Sequence, residues 1–200
     1  MPATKTFLSA DHHLGESRMN IMHRPFRSPE EMINILLINH NEIVQSNDIV
    51  YHLGDVCYQK TPHYLSNIND FNGRKILIRG NHDRVFTDDE LSPYFEQIIA
   101  EGDGIEQDIQ DIPCYLTHYP SCGRSDRFNL VGHVHSAWKY QLNMMNVGVD
   151  VHHFRPIDIT TIPFHFEAIC KYYDEDVWVA YNPINQQYLG QRGKSGTYYP

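Results

Sequence analysis

An α/β fold, with two sheets flanked by helices, is what this sequence predicts. Three observations carry the prediction. Short apolar runs stop at glycine or polar residues, helical patterns lie between the first of these runs, and the second half is poorer in helix. The first run, Thr6-Phe7-Leu8, leads into Ser9-Ala10-Asp11-His12-His13. Ser28-Pro29-Glu30-Glu31 then reads as a capping box with proline at the first helical position. Behind it Ile33, Leu37 and Val44, joined by Met32, Leu36 and Ile43, form an apolar stripe, so a helix is expected over 29–45, ending near Ser46-Asn47. The second run, Ile49-Val50-Tyr51-His52-Leu53, ends at Gly54-Asp55, and a shorter helix is expected over 62–68. Ile76-Leu77-Ile78 ends at Gly80-Asn81-His82-Asp83, Cys114-Tyr115-Leu116 at Thr117-His118, and Phe128-Asn129-Leu130-Val131 at Gly132-His133-Val134-His135. A sixth run covers Met144-Met145-Asn146-Val147-Gly148-Val149. Length and bounding residues favour strands for all six.

The 200 residues suit one domain with a sizeable core, placed at 1–189, with 190–200 expected to be a flexible tail. Hydrophobic residues make up 41% and charged residues 20%, ordinary values for a globular protein. No apolar run approaches the ~18 residues of a membrane helix, and 1–6 lacks the ~7–15-residue apolar stretch of a secretory signal. A cytoplasmic protein without membrane association is therefore expected. The formal net charge of -9 and the lack of a basic stripe argue against duplex nucleic acid as the main partner. Four cysteines without a C-x-x-C pair read as free thiols.

Thirteen histidines decide nothing by number, only by position. Five strand-like runs end in Asp, Asn or His, and open α/β sheets bind ligands beyond the carboxyl ends of their strands. Asp11 and His13, two apart in extended chain, would project to one side, with His12 pointing away; His133 and His135 repeat the spacing. Gly54, Gly80 and Gly132 precede three of the groups and permit sharp turns that aim side chains inward. His52, His63, His152, His153 and His165 are read as structural.

The ordered series Asp11-x-His13, Gly54-Asp55, Gly80-Asn81-His82-Asp83, His118, Gly132-His133-x-His135 resembles the calcineurin-like metallophosphoesterase family. Tyr51-His52-Leu53-Gly54-Asp55-Val56 and Asn146-Val147-Gly148-Val149-Asp150, followed by Arg155-Pro156, look like small phage and bacterial members. The resemblance implies that family's αββα fold and two metal sites. Asp11, His13, Asp55 and His135 would hold one ion; Asp55, Asn81, His118 and His133 would hold the other, with Asp55 bridging. Such ligands suit Mn, Fe, Ni or Zn, Mn being favoured. By the same resemblance a metal-bridging hydroxide would attack phosphorus, His82 would protonate the leaving oxygen, and Asp83 would orient His82. One departure is visible: many members continue the second block as G-D-x-x-D-R, whereas Tyr58-Gln59 stand here in place of the final pair, which normally supports the catalytic histidine. This counts against phosphoprotein phosphatase activity.

Arg18, Asn20, Arg24 and Arg84 are candidate contacts for a substrate phosphate, because guanidinium geometry suits phosphate. The expected substrate is a small phosphate ester, a phosphodiester of nucleotide or cyclic-nucleotide type, since the compact chain leaves little room for a capping domain. A DNA nuclease of the same fold and a non-catalytic metal-binding scaffold are the alternatives. The sequence leaves the oligomeric state open.

Overall fold

Parallel pairing of the early apolar runs sets the architecture. In this computed structural model, which describes residues 3–60, 62–172, 180–182, 187–189, 191–192 and 198–199, β1 (Thr6–Ser9), β2 (Ile49–His52), β3 (Arg74–Ile78) and β4 (Gln97–Ile99) run parallel, and β10 (Ile157–Asp158) adds an antiparallel edge beside β1. A second five-stranded sheet has the order β5 (Gly104–Ile109), β6 (Ile112–Thr117), β7 (Phe128–Val131), β9 (Met144–Asn146), β8 (Tyr140–Gln141). Here β6, β7 and β9 are parallel, while β5 and β8 are antiparallel edges. The fold is thus α/β with two mixed sheets, as expected. Short edge strands and the β5–β6 hairpin escaped the sequence reading, because strands such as Gly104–Ile109 alternate polar residues with few apolar ones.

Helix α1 (Met19–Met22) is a single turn, and α2 (Pro29–Asn41) is the first full helix. The Ser28 hydroxyl accepts from the Glu31 N–H at 3.2 Å, which is half of the expected capping box. The Glu31 carboxylate closes on the Arg27 N–H instead, at 2.6 Å. The helix stops earlier than expected. Its bonding pattern lasts to the Val44 N–H, but Asp48 captures the next donor, Gln45 N–H, at 2.8 Å, and the Lys5 N–H as well. Met32, Ile33 and Leu36 are buried with Leu14, Val56, Phe71 and Leu77 in the main core, and Val44 packs with Phe7 and Val50. Full burial of each such side chain is worth about 1.5–3 kcal/mol. The 62–68 helix is present as one turn, α3 (Pro62–Leu65), followed by a 3₁₀ segment Ser66–Asp70. After β3 come a 3₁₀ turn His82–Val85 and the one-turn α4 (Asp88–Leu91).

The sixth run is strand only as far as Asn146. The Asn146 side-chain oxygen accepts the Gly148 N–H at 2.8 Å and turns the chain into a 3₁₀ segment, Val149–Val151. The second half also carries a helix that was not expected, α5 (Ile162–Tyr172), with Pro163 in its first turn.

The chain divides into two compact units, Met1–Phe166 and Glu167–Pro200. Both five-stranded sheets belong to the first. In the second, Ala180–Asn182 pairs with Gln187–Leu189 and Gln191–Arg192 with Tyr198–Tyr199, each antiparallel. Most of the expected tail at 190–200 lies outside the described residues. The four cysteines are free thiols, Cys57 and Cys114 buried. Among the described residues no helix is long and apolar enough to cross a membrane.

The two sheets meet at the carboxyl ends of β1, β2, β7 and β9. Ala10 bridges Gly148, the Val149 N–H donates to Ala10 O at 3.1 Å, and the Asp11 N–H donates to Gly54 O at 3.0 Å. The loops that carry Asp11, His13, Asp55, His133 and His135 start at this seam.

Candidate metal centre

Left-handed backbone marks the seam. Asp11 (φ 60°), His13 (50°), Asp55 (58°), His133 (73°) and His135 (49°) all have positive φ. Such conformations cost non-glycine residues of order 1–3 kcal/mol each and gather at functional sites. This corrects the spacing argument: Asp11 and His13 do share a site, but through left-handed turns rather than extended alternation. His12 points away as expected. It contacts the Ser9 hydroxyl at 2.9 Å and packs on His52 and Phe71.

Glycine acts in two ways here. Gly54 has φ +86°, and a Cβ there would lie 2.5 Å from Gly80 N and 2.6 Å from His118 Nδ1. Gly80 is needed for proximity instead, since its Cβ would lie 2.3 Å from Asp55 Oδ1.

These turns bring the candidate ligands into three groups whose ligand atoms lie within 4.8 Å of one another: Asp11, His13 and His135; His13, Asp55 and His82; Asp55, His118 and His133. Asp55 joins them. Its Oδ1 accepts the His82 N–H at 2.8 Å, and its Oδ2 lies 3.3 Å from His13 Nε2 and 3.6 Å from His118 Nε2. Both Asp11 oxygens accept the His133 N–H, at 3.1 and 3.0 Å.

Whether this set fits cations is tested by its buried polar atoms. His13 Nδ1 and Nε2, Asn81 Oδ1 and His118 Nε2 are buried without a hydrogen-bond partner. Such orphans are rare and costly in native interiors. His118 Nδ1 lies 2.6 Å from Leu53 O, which makes it the protonated nitrogen and leaves the Nε2 lone pair free. His135 Nδ1 lies 2.9 Å from Asp150 Oδ2, an arrangement that turns Nε2 outward in the same way. Lone pairs of imidazole, amide and carboxylate facing one region are a donor set for borderline divalent metals.

The electrostatics agree for His13 and His133, while at His135 burial is outweighed by opposing effects led by the Asp150 hydrogen bond, which raise the ring above its ordinary value. Burial lowers His13 to about 4 and also depresses His133, so both are neutral near pH 7, as ligation requires. Burial pushes Asp11 up to about 6, with His118 and His135 acting against it, because a fully buried carboxylate lacks a compensating cation. Burial also works against the Asp55 charge, but His13, His118 and the His82 N–H outweigh it and hold that carboxyl well below the usual range.

Asp83 stands elsewhere than expected. It accepts three backbone N–H groups, from Asp55 (2.8 Å), Val56 (3.0 Å) and Gly80 (2.9 Å), and so staples the β2 and β3 loops together. The polar contact of the His82 ring is Tyr58 O, 3.2 Å from Nδ1. Arg24 is a clamp and not an open phosphate contact. It is buried, bonds the carbonyls of Asp11 (2.5 Å) and His12 (2.8 Å), and grips Asp150 through two bonds of 2.7 and 2.8 Å. Arg18 lies over the Tyr58 ring at the rim, and Arg84 is exposed and bonded to Glu101, which also accepts from Tyr119 beside His118 and His133. Asn20 is exposed on α1.

Asp150 is the main residue the sequence reading passed over. It joins Arg24 to His135, and Asn146 holds the same loop through the carbonyls of His135 (2.7 Å) and Trp138 (2.8 Å). The signal was available: Asp150 follows the sixth apolar run just as Asp55 follows the second.

Fold and site together define a two-sheet α/β protein with a histidine- and aspartate-lined candidate metal centre at its strand ends. No protein-family model matches the chain. It is 36% identical over 87 residues to the uncharacterized protein MJ1445 of Methanocaldococcus jannaschii, a match covering 42% of this chain and 49% of that protein. The chain thus spans about half the length of this curated relative. The crystal structure of the protein of unknown function AQ665 from Aquifex aeolicus is similar in fold, with a TM-score of 0.66 at 22% identity, covering 82% of this chain and 100% of that one.

Proposed function

We propose that the chain is a phosphoesterase with two divalent metal ions, Mn favoured, on the αββα fold of the calcineurin-like metallophosphoesterases, and that it hydrolyses a small phosphodiester of nucleotide type. One observation carries this reading: a single Asp55 oxygen lies between His13 Nε2 (3.3 Å) and His118 Nε2 (3.6 Å), whose own lone pairs have no other partner. That is the arrangement a bridging carboxylate needs.

When bound, two dications would neutralise phosphate charge and lower the pKa of a bound water. Asp11, His13, Asp55 and His135 would hold one ion; Asp55, Asn81, His118 and His133 the other. The rest falls to the chain's own groups. Leu53 O and Asp150 fix the rings of His118 and His135, so their donor atoms do not reorganise. His82 lies beside this set, its ring 4.7 Å from that of His13, close enough to give a proton to a leaving oxygen. Arg18 and Arg84 are paired with Glu16 and Glu101, so little unpaired positive charge remains at the rim for a monoester dianion. This supports the diester.

The test is metal analysis together with turnover of bis-p-nitrophenyl phosphate against p-nitrophenyl phosphate by Mn-loaded protein, followed by a panel of nucleotides. The diester should be the better substrate, Asp55→Ala should lose metal and turnover together, and His82→Asn should keep metal but slow, most for poor leaving groups. Metal-loaded protein inactive on every ester would remove the reading.

A further inference from the structure

The second sequence block lacks the Asp-Arg pair that closes it in the resembling family, and Tyr58-Gln59 stand there instead. The support of His82 must then come from elsewhere. The first and second loops remain bonded past the ends of their strands: His13 N–H to Asp55 O (3.0 Å), Leu14 N–H to Val56 O (2.9 Å), Tyr58 N–H to Leu14 O (3.1 Å). Tyr58 is thereby fixed against the loop that carries Glu16 and Arg18. Glu16 is fully buried and takes three bonds from Arg18: the backbone N–H at 2.7 Å, and Nε and one terminal nitrogen at 3.0 Å each. Two bonds along one edge fix the plane of the guanidinium, and its carbon sits 4.2 Å from the centroid of the Tyr58 ring. Tyr58 also contacts His82, with ring centroids 5.5 Å apart and Tyr58 O 3.2 Å from Nδ1.

We infer that Glu16, Arg18 and Tyr58 form a positioning relay for His82, in which an arginine from the first loop replaces the pair missing from the second. Arg18 pins the Tyr58 ring, the pinned residue presents its carbonyl to Nδ1–H, and Nε2 is left facing the reacting region, where it first takes up a proton from solvent and then gives that proton to the leaving oxygen. This rests on the phosphoesterase reading for its use, though the geometry does not need it. Arg18 is then a positioning residue, not a phosphate contact.

The experiment uses full-length protein labelled with ¹⁵N-histidine. Long-range proton–nitrogen spectra at one fixed pH report which ring nitrogen of His82 carries the proton, and His82→Asn assigns the signal. Wild type should show Nδ1–H. Arg18→Ala should give a mixture of tautomers and cut kcat about tenfold with KM little changed, part of the ~10²–10⁴-fold that a general acid supplies. Tyr58→Phe keeps the ring and the carbonyl and should retain the wild-type tautomer, whereas Tyr58→Ala should not. An Arg18→Ala protein that keeps the wild-type His82 signal overturns the relay whatever the ester assays give. A tautomer shift in Arg18→Ala, with wild-type protein inactive on every ester, keeps the relay and removes the phosphoesterase reading.

Discussion

Asp150 Oδ2 lies 2.9 Å from Nδ1 of His135, and this contact fixes which nitrogen of that ring is free. Arg24 holds the same carboxylate from behind. Burial opposes the Asp150 charge, but His135 and Arg24 bring it down to about 2, so the carboxylate is ionised throughout the working pH range.

Removing that carboxylate frees the His135 ring and leaves a buried guanidinium unpaired. Asp150→Ala should weaken the ion shared by Asp11, His13 and His135 by about 10–100-fold, the usual effect of losing a partner behind a ligand. The ion beside His118 should be much less affected. Calorimetric titration of metal-free protein with Mn should show one site weakened; two unchanged sites would refute the coupling.

Gly54 and Gly102 have nearly the same backbone, φ +86° and +85°, but different surroundings. A Cβ at Gly102 meets nothing within 4 Å, so Gly102→Ala should cost about 1–2 kcal/mol for the left-handed conformation alone. Gly54→Ala adds a backbone collision at 2.5 Å and should cost at least about 2 kcal/mol more. Urea unfolding of the two variants gives the comparison, and equal losses would contradict the crowding at the seam.

His40 sets a pH dependence away from the candidate metal centre. It is buried with its Nε2 2.9 Å from Asn72 O, and burial lowers it from 6.5 to about 4. Between those values the unfolded chain binds a proton that the folded chain refuses. The stability His40 contributes is therefore full above 6.5 and is lost as pH falls towards 4, at most about 3 kcal/mol. Asp11 and Asp83, both raised by burial to about 6 from 3.8, act the other way in metal-free protein, their contribution being present below 3.8 and lost as pH rises through 6. Subtracting the His40→Gln curve of melting temperature against pH from that of wild type isolates the His40 part, which should slope upward from pH 4 to 6.5. A flat difference would place His40 in contact with water.

The candidate metal centre was legible because its chemistry is local. Asp55, His118 and His133 each follow an apolar run within a residue or two; parallel pairing of β6 and β7 puts the last two together, and the seam between the sheets adds Asp55. What was hidden depends on distance or on backbone conformation. Arg24 and Asp150 are 126 residues apart, and nothing beside Arg24 tells a buried clamp from a surface arginine. The left-handed turns at Asp11 and His13 leave the same spacing as a strand would. The Asp83 staple is equally invisible, since an aspartate that binds backbone N–H groups carries no pattern of its own. The edge strands were missed because they are short and carry few apolar residues.

The central claim is that Asp55 serves two cations at once. Wild-type protein loaded with Mn, freed of excess ion and analysed by inductively coupled plasma mass spectrometry should hold two Mn per chain, and folded Asp55→Ala should hold none tightly. One ion or none in the wild type, or two retained by Asp55→Ala, would contradict the account.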